Sequence, residues 1–255
     1  MIEAILPNAL QHRRAEGLVR LGREGDGGYV VARGDVERAD LLISLGINAD
    51  WSFEKQFLAL RNVPLFAYDA SIGTFVFVRR SLAALLRPGR FRHFLQSIGV
   101  LADYHRFFVG NRHHVAKFVG NKGGGDFVSL DEVFAANAAD HLFLKIDVEG
   151  MEYRLLASIL RHQDRLTGLV VEFHDCDLHM DKITRFADAL NLSIVHINAN
   201  NYAPVDELSR IPLILEISFS RNATPENEMQ TYPSTNDTLN NPDGQGIALR
   251  FSGTG

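Results

Sequence analysis

Continuous apolar runs alternate with helical spacing along most of this chain. LLISLG (41–46) predicts a buried strand, and after a polar NAD the segment SFEKQFLALRN places Phe53, Phe57 and Leu60 at helical spacing. VPLFAYD (63–69), HLFLKID (141–147), LTGLVVEFH (166–174), LSIVHIN (192–198) and IPLILEISF (211–219) predict further strands. Between them, MEYRLLASILRHQ carries Met151, Leu155, Ile159 and Leu160 on one face, and HMDKITRFADAL is a helix buried through Ile183, Phe186 and Leu190. Ser129 and Glu132 stand at capping-box spacing, so a helix starts there. Asp50 or Ser52 can cap the helix after the first strand, with Glu54 in its first turn. Strands alternating with helices give βαβ units and a mostly parallel sheet covered on both faces, here one α/β domain over residues 1–255. The last two strong strands have little helix between them, which predicts an antiparallel addition at that end. Such sheets bind ligands at the C-terminal ends of their strands. The loops to read are therefore 46–52, 69–74, 147–150, 172–177 and 196–202.

Three segments lie outside the alternation. Residues 18–32 (LVRLGREGDGGYVVA) read as a hairpin around a Gly-rich turn. Residues 74–106 predict a basic helical insertion, with Arg79, Arg80, Arg87, Arg90, Arg92 and Arg106 against a single acid, Asp103. Residues 222–245, rich in Asn, Thr, Pro and Asp, read as an irregular loop, with GIALRF (246–251) as a final edge strand. Composition narrows the class. The net charge of −5 over 255 residues argues against nucleic-acid binding by whole-surface attraction. The single cysteine, Cys176, excludes an intramolecular disulfide or a Cys-rich zinc site, and the two acids beside it argue against a nucleophilic thiol. No apolar run approaches the ~20 residues of a membrane span, and the N-terminal segment lacks the order of a signal peptide. A soluble cytoplasmic protein is the expectation, with peripheral membrane contact open only through the basic insertion.

Two loops set the ligand chemistry. Gly46 lets the backbone turn out of the first strand, but G-x-G-x-x-G is missing; Asn48, Asp50 and Glu54 follow instead, and carboxylates there suit a cation better than a pyrophosphate. Asp69, ending the second strand, stands where an acid accepts hydrogen bonds from ribose hydroxyls, or where it caps the segment after Ser71. A positively charged ligand with a ribose and no phosphate fits both loops, and S-adenosylmethionine is such a ligand. In LKIDVEGMEYRLL, Asp147 and Glu149 are close enough to repel, so one is paired, metal-bound or protonated. Glu172 and His174 share a side of the next strand, as do His196 and Asn198 of the one after, followed by Asn200 and Asn201. A carboxylate–histidine pair can take a proton from a hydroxyl, and the same set could hold a divalent cation, which stays unassigned. No G-x-S-x-G or phosphate-binding G-x-x-x-x-G-K-[ST] occurs.

LKIDVEGMEYRLL resembles the signature of the FkbM family of S-adenosylmethionine-dependent methyltransferases. RLGREGDGGYVV, SLGINADWSFEKQF, FAYDASI, VVEFHD, HINANNYAP and IPLILEISF follow in that family's order over residues 18–220. The resemblance implies a Rossmann-like class I methyltransferase fold, a seven-stranded sheet with its last strand antiparallel, and O-methylation of a sugar or natural-product hydroxyl. Carried across, Gly46, Asn48, Asp50, Ser52, Phe53, Glu54, Asp69 and Ser71 line the cofactor site. The turn Asp26-Gly27-Gly28-Tyr29 closes over it, and Asp147 faces the reacting methyl group. Asp147, Glu149, Glu172, His174 and His196 are the candidate catalytic residues, with His174 or His196 as base. Two other readings stand beside it: a metal-dependent hydrolase or lyase using the same cluster, and a non-catalytic glycan- or nucleotide-binding module.

Overall fold

The computed structural model describes residues 1–74, 76–78 and 91–252, with residues 91–97 described by their backbone alone. In chain order the elements are β1 (Ile2–Pro7), β2 (Arg13–Ala15), β3 (Leu18–Leu21), β4 (Tyr29–Ala32), α1 (Arg33–Arg38), β5 (Leu41–Leu45), α2 (Ser52–Leu60), β6 (Leu65–Tyr68) and α3 (Phe91–Phe107). There follow β7 (Arg112–Val115), β8 (Phe118–Gly120), β9 (Phe127–Ser129), α4 (Leu130–Ala136), β10 (Leu142–Ile146), α5 (Leu156–His162), β11 (Leu166–Phe173) and α6 (Cys176–Ala189). The chain ends with β12 (Ser193–Ala199), β13 (Leu215–Ser220), β14 (Pro225–Met229) and β15 (Ile247–Ser252).

Seven strands form the central sheet in the order β12-β13-β11-β10-β5-β6-β7. β13 runs antiparallel to both its neighbours, and the other pairings are parallel. The seven-stranded, mostly parallel sheet with a reversed last strand is therefore present. The strand order reverses beside β5, and the crevice there lies above the carboxyl ends of β5, β6 and β10, where such sheets take ligands.

Strand alternation divides the core. Leu41, Ile43 and Leu45 of β5, with Leu142, Leu144 and Ile146 of β10, pack against helices α4, α5 and α6. Leu42, Phe143 and Val170 point the other way, against the β3–β4 hairpin, α1 and α2 through Tyr29, Val36, Phe53 and Phe57. Lys145 shares the face of Phe143, and Glu172 that of Val170, so both lie under the hairpin.

Local signals hold well. Ser129 and Glu132 form the full capping box of α4, and β3 pairs β4 antiparallel, Leu18 opposite Ala32. Three expectations change. α2 has Trp51 at its N-cap with no side-chain cap; Asp50 accepts instead from the Ser52 amide at 2.9 Å, closing the loop locally. β15 does not extend the central sheet but pairs in parallel with β1 in a separate two-stranded sheet. The segment read as irregular contains β14, paired with β2. Of the basic insertion, α3 carries the C-terminal part, with Asp103 bonded to Lys55 at 2.6 Å; Arg79, Arg80, Arg87 and Arg90, and the side chain of Arg92, lie outside the described residues. No helix among the described residues is long and apolar enough to cross a membrane.

Candidate active site

A cavity of about 530 Å³ opens at the carboxyl ends of β5, β6 and β10. Gly46, Asn48, Asp50, Phe53, Asp69, Ser71 and Asp147 line it as expected, as do Glu149 and Glu172. Gly46 adopts a φ of 73°, and a Cβ there would meet the Asp147 carbonyl at 1.7 Å. Only glycine lets the β5 and β10 loops come this close, so the residue builds the cavity floor as well as its turn.

Asp69 is buried at the end of β6, but its carboxylate is largely spoken for. Oδ2 accepts from the amides of Ile47 at 3.1 Å and Asn48 at 2.8 Å, and Oδ1 from Ser71 at 2.7 Å. A carboxylate has about four lone-pair positions, so three amides leave one for a ligand. Asp69 is thus the tie between the two loops.

Five expected site residues are not among those lining the cavity: Gly28, Ser52, Glu54, His196 and His174. Gly28 lies in the hairpin turn, where a Cβ would meet the Arg23 carbonyl at 2.3 Å, and its neighbour Gly27 lines the cavity instead. The Ser52 hydroxyl accepts from the Arg23 amide at 3.0 Å, fastening the hairpin to α2. Glu54 is fully buried beneath the loop, accepting from Ser44 and lying 3.7 Å from Lys145 Nζ. His196 points into a different cluster, bonded through Nε2 to Asp237 at 2.7 Å beside Tyr232. Four residues of extended strand, about 13 Å, separate it from Asn200, the β12-end residue that does reach Glu172. Strand parity placed His196 on the correct side and too far down.

The hairpin closes the site from above. Tyr29, the first residue of its second strand, has its hydroxyl 2.8 Å from Glu172 Oε2 and 3.1 Å from Asp147 Oδ2. Asn200 donates to Glu172 at 3.1 Å and to Asp26 at 3.2 Å, and Arg23 Nε lies 3.2 Å from Asp50. Lys145 is almost wholly buried, donates to the Gly46 carbonyl at 3.0 Å and sits over the Tyr29 ring at 5.4 Å. Lys145 was not singled out from sequence, and Tyr29 was named only as part of the turn expected to close over the site. For Lys145 the signal was there, since it shares strand parity with Asp147; for Tyr29 it was the DGGY turn itself.

His174 is held from below by Glu152, a fully buried carboxylate that accepts from the His174 amide at 2.7 Å and lies 3.3 Å from Nδ1. Nε2 faces Glu149 at 3.4 Å and Glu172 at 3.9 Å. Burial disfavours the charged imidazole, but the hydrogen bond and charge of Glu152, with the charges of Glu172 and Asp147, outweigh it and carry the pKa up to about 9. His174 is therefore protonated at neutral pH and is not a free base there. Burial, and then the charges of Asp147 and Glu216, raise the Glu172 carboxyl well above the carboxylate range. Glu216, buried behind it, is raised for the same first reason, against hydrogen bonds from Asn198 and Asn240. Cys176 is buried, its thiol pushed up mainly by desolvation, and takes no part. Phe118 and Phe127, with ring centroids 5.5 Å apart, form an apolar lip opposite the acids. The Gly123–Gly125 run turns between β8 and β9, which carry these two rings.

No family model matches the chain, and no curated protein matches it. Several solved structures are similar. A precorrin-6y C5,15-methyltransferase from Geobacter metallireducens is 14% identical, with 74% of this chain and 85% of that chain covered and a TM-score of 0.38. The Methanococcus jannaschii fibrillarin pre-rRNA processing protein is 8% identical, covering 73% and 68%, with a TM-score of 0.37. A human methyltransferase 10 domain containing protein is 11% identical, covering 72% of each chain, with a TM-score of 0.36. Likeness at this level carries no argument, and the chemistry rests on the cavity itself.

Proposed function

We propose that this protein is an S-adenosylmethionine-dependent methyltransferase acting on a hydroxyl of a sugar or related natural product, as its resemblance to the FkbM family implies. The observation that carries the reading is the charge of the cavity. Asp26, Asp50, Asp69, Asp147 and Glu149 line it, against Arg23 and Lys145, with the raised carboxyl of Glu172 beside them. Such a site attracts a ligand carrying positive charge and repels a phosphate. A sulfonium with an α-amino group meets that requirement, its adenine resting against Phe118 and Phe127 and its ribose against the free lone pair of Asp69.

Methyl transfer is an in-line displacement: the acceptor oxygen bonds to the methyl carbon, the carbon–sulfur bond breaks, and its electron pair stays on sulfur. The protein's main contribution is alignment of the three atoms. A neutral hydroxyl attacks poorly, so its proton must leave as the bond forms. His174 begins protonated, which moves that duty to the carboxylates facing the cavity, Asp147 and Glu149. His174 orients them and offsets their charge.

Titration with S-adenosylhomocysteine, the product of the donor, tests this. At one hundred times its dissociation constant the ligand should stabilise the chain by about 2.7 kcal/mol, a rise in melting temperature of about 5–10 °C for a domain of this size. Absence of both a shift and a calorimetric signal at about 1 mM overturns the reading. A divalent ion that stabilises the chain while the nucleoside does not would favour a metal-dependent hydrolase or lyase.

A further inference from the structure

One group of side chains at the edge of the cavity, two of which line it, has the composition and support of a cation site. Asp147, Glu149 and His174 each offer one ligand atom, and these atoms lie within 4.8 Å of one another. They come from two adjacent strand ends. Asp147 follows β10, Glu149 is carried outward by a left-handed turn at φ 52° followed by Gly150 at φ 94°, and His174 follows β11.

The set is more than a gathering of acids, because the imidazole is presented as a ligand. Glu152, which is not among the three, is fully buried with one oxygen 3.3 Å from His174 Nδ1. Imidazoles that bind metals characteristically give their other ring N–H to a carboxylate, which sets the tautomer and ring orientation and leaves the second nitrogen free. Here that second nitrogen, Nε2, faces Glu149, which lines the cavity, at 3.4 Å. Tyr153 adds a further restraint by donating to the His174 carbonyl.

The local charge balance asks for a cation. Among the described residues, neither Asp147 nor Glu149 has a Lys or Arg within ion-pair distance; the charged partner of Glu149 is His174. Lys145, the nearest buried cation along the strand, is engaged by the Gly46 carbonyl and Glu54.

We propose that Asp147, Glu149 and His174 bind a single divalent cation of the Mn²⁺ or Mg²⁺ type at the wall of the cavity. Two carboxylate oxygens and one imidazole nitrogen form a mixed set, for which Mn²⁺ is the natural probe: carboxylates favour hard ions, and the single nitrogen is tolerated. Three protein ligands leave up to three positions of an octahedral ion open toward the cavity. The proton on Nε2 is displaced on binding. Resting on the methyltransferase reading, the open positions would take two neighbouring oxygens of the acceptor. The ion would then lower the pKa of the hydroxyl to be methylated, narrowing the substrate class to acceptors with vicinal hydroxyls.

The test is a titration of the full chain with MnCl₂, followed by the loss of the free Mn²⁺ electron paramagnetic resonance signal and by calorimetry, with no methyl donor present. One ion should bind per chain, and Glu149→Gln and His174→Gln should each weaken it by at least about tenfold. Glu149 is exposed, so its variant tests the ligand without threatening the fold. No Mn²⁺ bound at about 1 mM, or either variant binding as tightly as the unaltered chain, overturns the site. S-adenosylhomocysteine binding on the same sample separates the two ideas: nucleoside without metal removes the site alone, and metal without nucleoside removes the methyltransferase reading alone.

Discussion

The hydroxyl of Tyr29 lies 2.8 Å from Glu172 Oε2, and the two residues are 143 positions apart in sequence. It is the contact through which the N-terminal hairpin reaches the end of the central strand β11. A phenol has one hydrogen, so the same hydroxyl, 3.1 Å from Asp147, can satisfy only one of the two carboxylates at a time.

Replacing Tyr29 by Phe keeps the ring in its apolar surroundings and removes the donor. Among the described residues, Glu172 then keeps only Asn200 as a hydrogen-bond donor. Urea denaturation should show a loss of about 1–3 kcal/mol. An unchanged midpoint would mean that the bond contributes nothing net.

Lys145→Met should be costlier. The ammonium is buried beside Glu54 at 3.7 Å, and removing one member of a buried pair strands the other. A loss of about 3–5 kcal/mol is expected from denaturation curves. If the variant is as stable as the parent, Glu54 is not charged in the folded chain.

Asp69→Ala should affect fold and ligand together. Three backbone amides lose their acceptor, so stability should fall by about 2 kcal/mol, and S-adenosylhomocysteine should bind at least about tenfold more weakly. Loss of affinity with unaltered stability would assign the residue to the ligand alone.

His196→Gln should leave nucleoside binding untouched, since the ring is bonded to Asp237, away from the cavity. A drop in melting temperature is expected from the broken buried pair. A drop in nucleoside affinity would return the residue to the site.

Stability should decline between neutral and alkaline pH. His174 holds its proton more tightly folded than unfolded, at about 9 against 6.5. Its stabilising contribution is complete below about pH 6.5 and is lost as the pH rises through about 9. Glu172 acts in the same direction, because a carboxyl raised by burial costs more as it ionises. Melting temperatures across this range should fall, and fall less steeply in His174→Gln. A flat or rising profile contradicts the assigned proton on His174.

The strands and their helices were legible because burial writes itself into local pattern. LLISL and LFLKI are apolar at all but one position each, Ser44 and Lys145, and buried at every one, as strands covered on both faces are, and the capping box at Ser129 is a contact between residues three apart. Spacing and strand parity also placed Asp147, Glu149, Glu172 and His174 in one region, since all four stand at strand ends whose faces follow a period of two. Tertiary structure decided which polar groups share a contact. Glu54 is hidden by Lys145, Asp69 is claimed by the amides of the neighbouring loop, His196 is caught by Asp237, and Tyr29 arrives from a hairpin far back in the chain. Hydrophobic periodicity depends on neighbours a few residues away and survives in sequence. A buried hydrogen bond depends on one partner at a few ångströms, and only the folded chain specifies which partner that is.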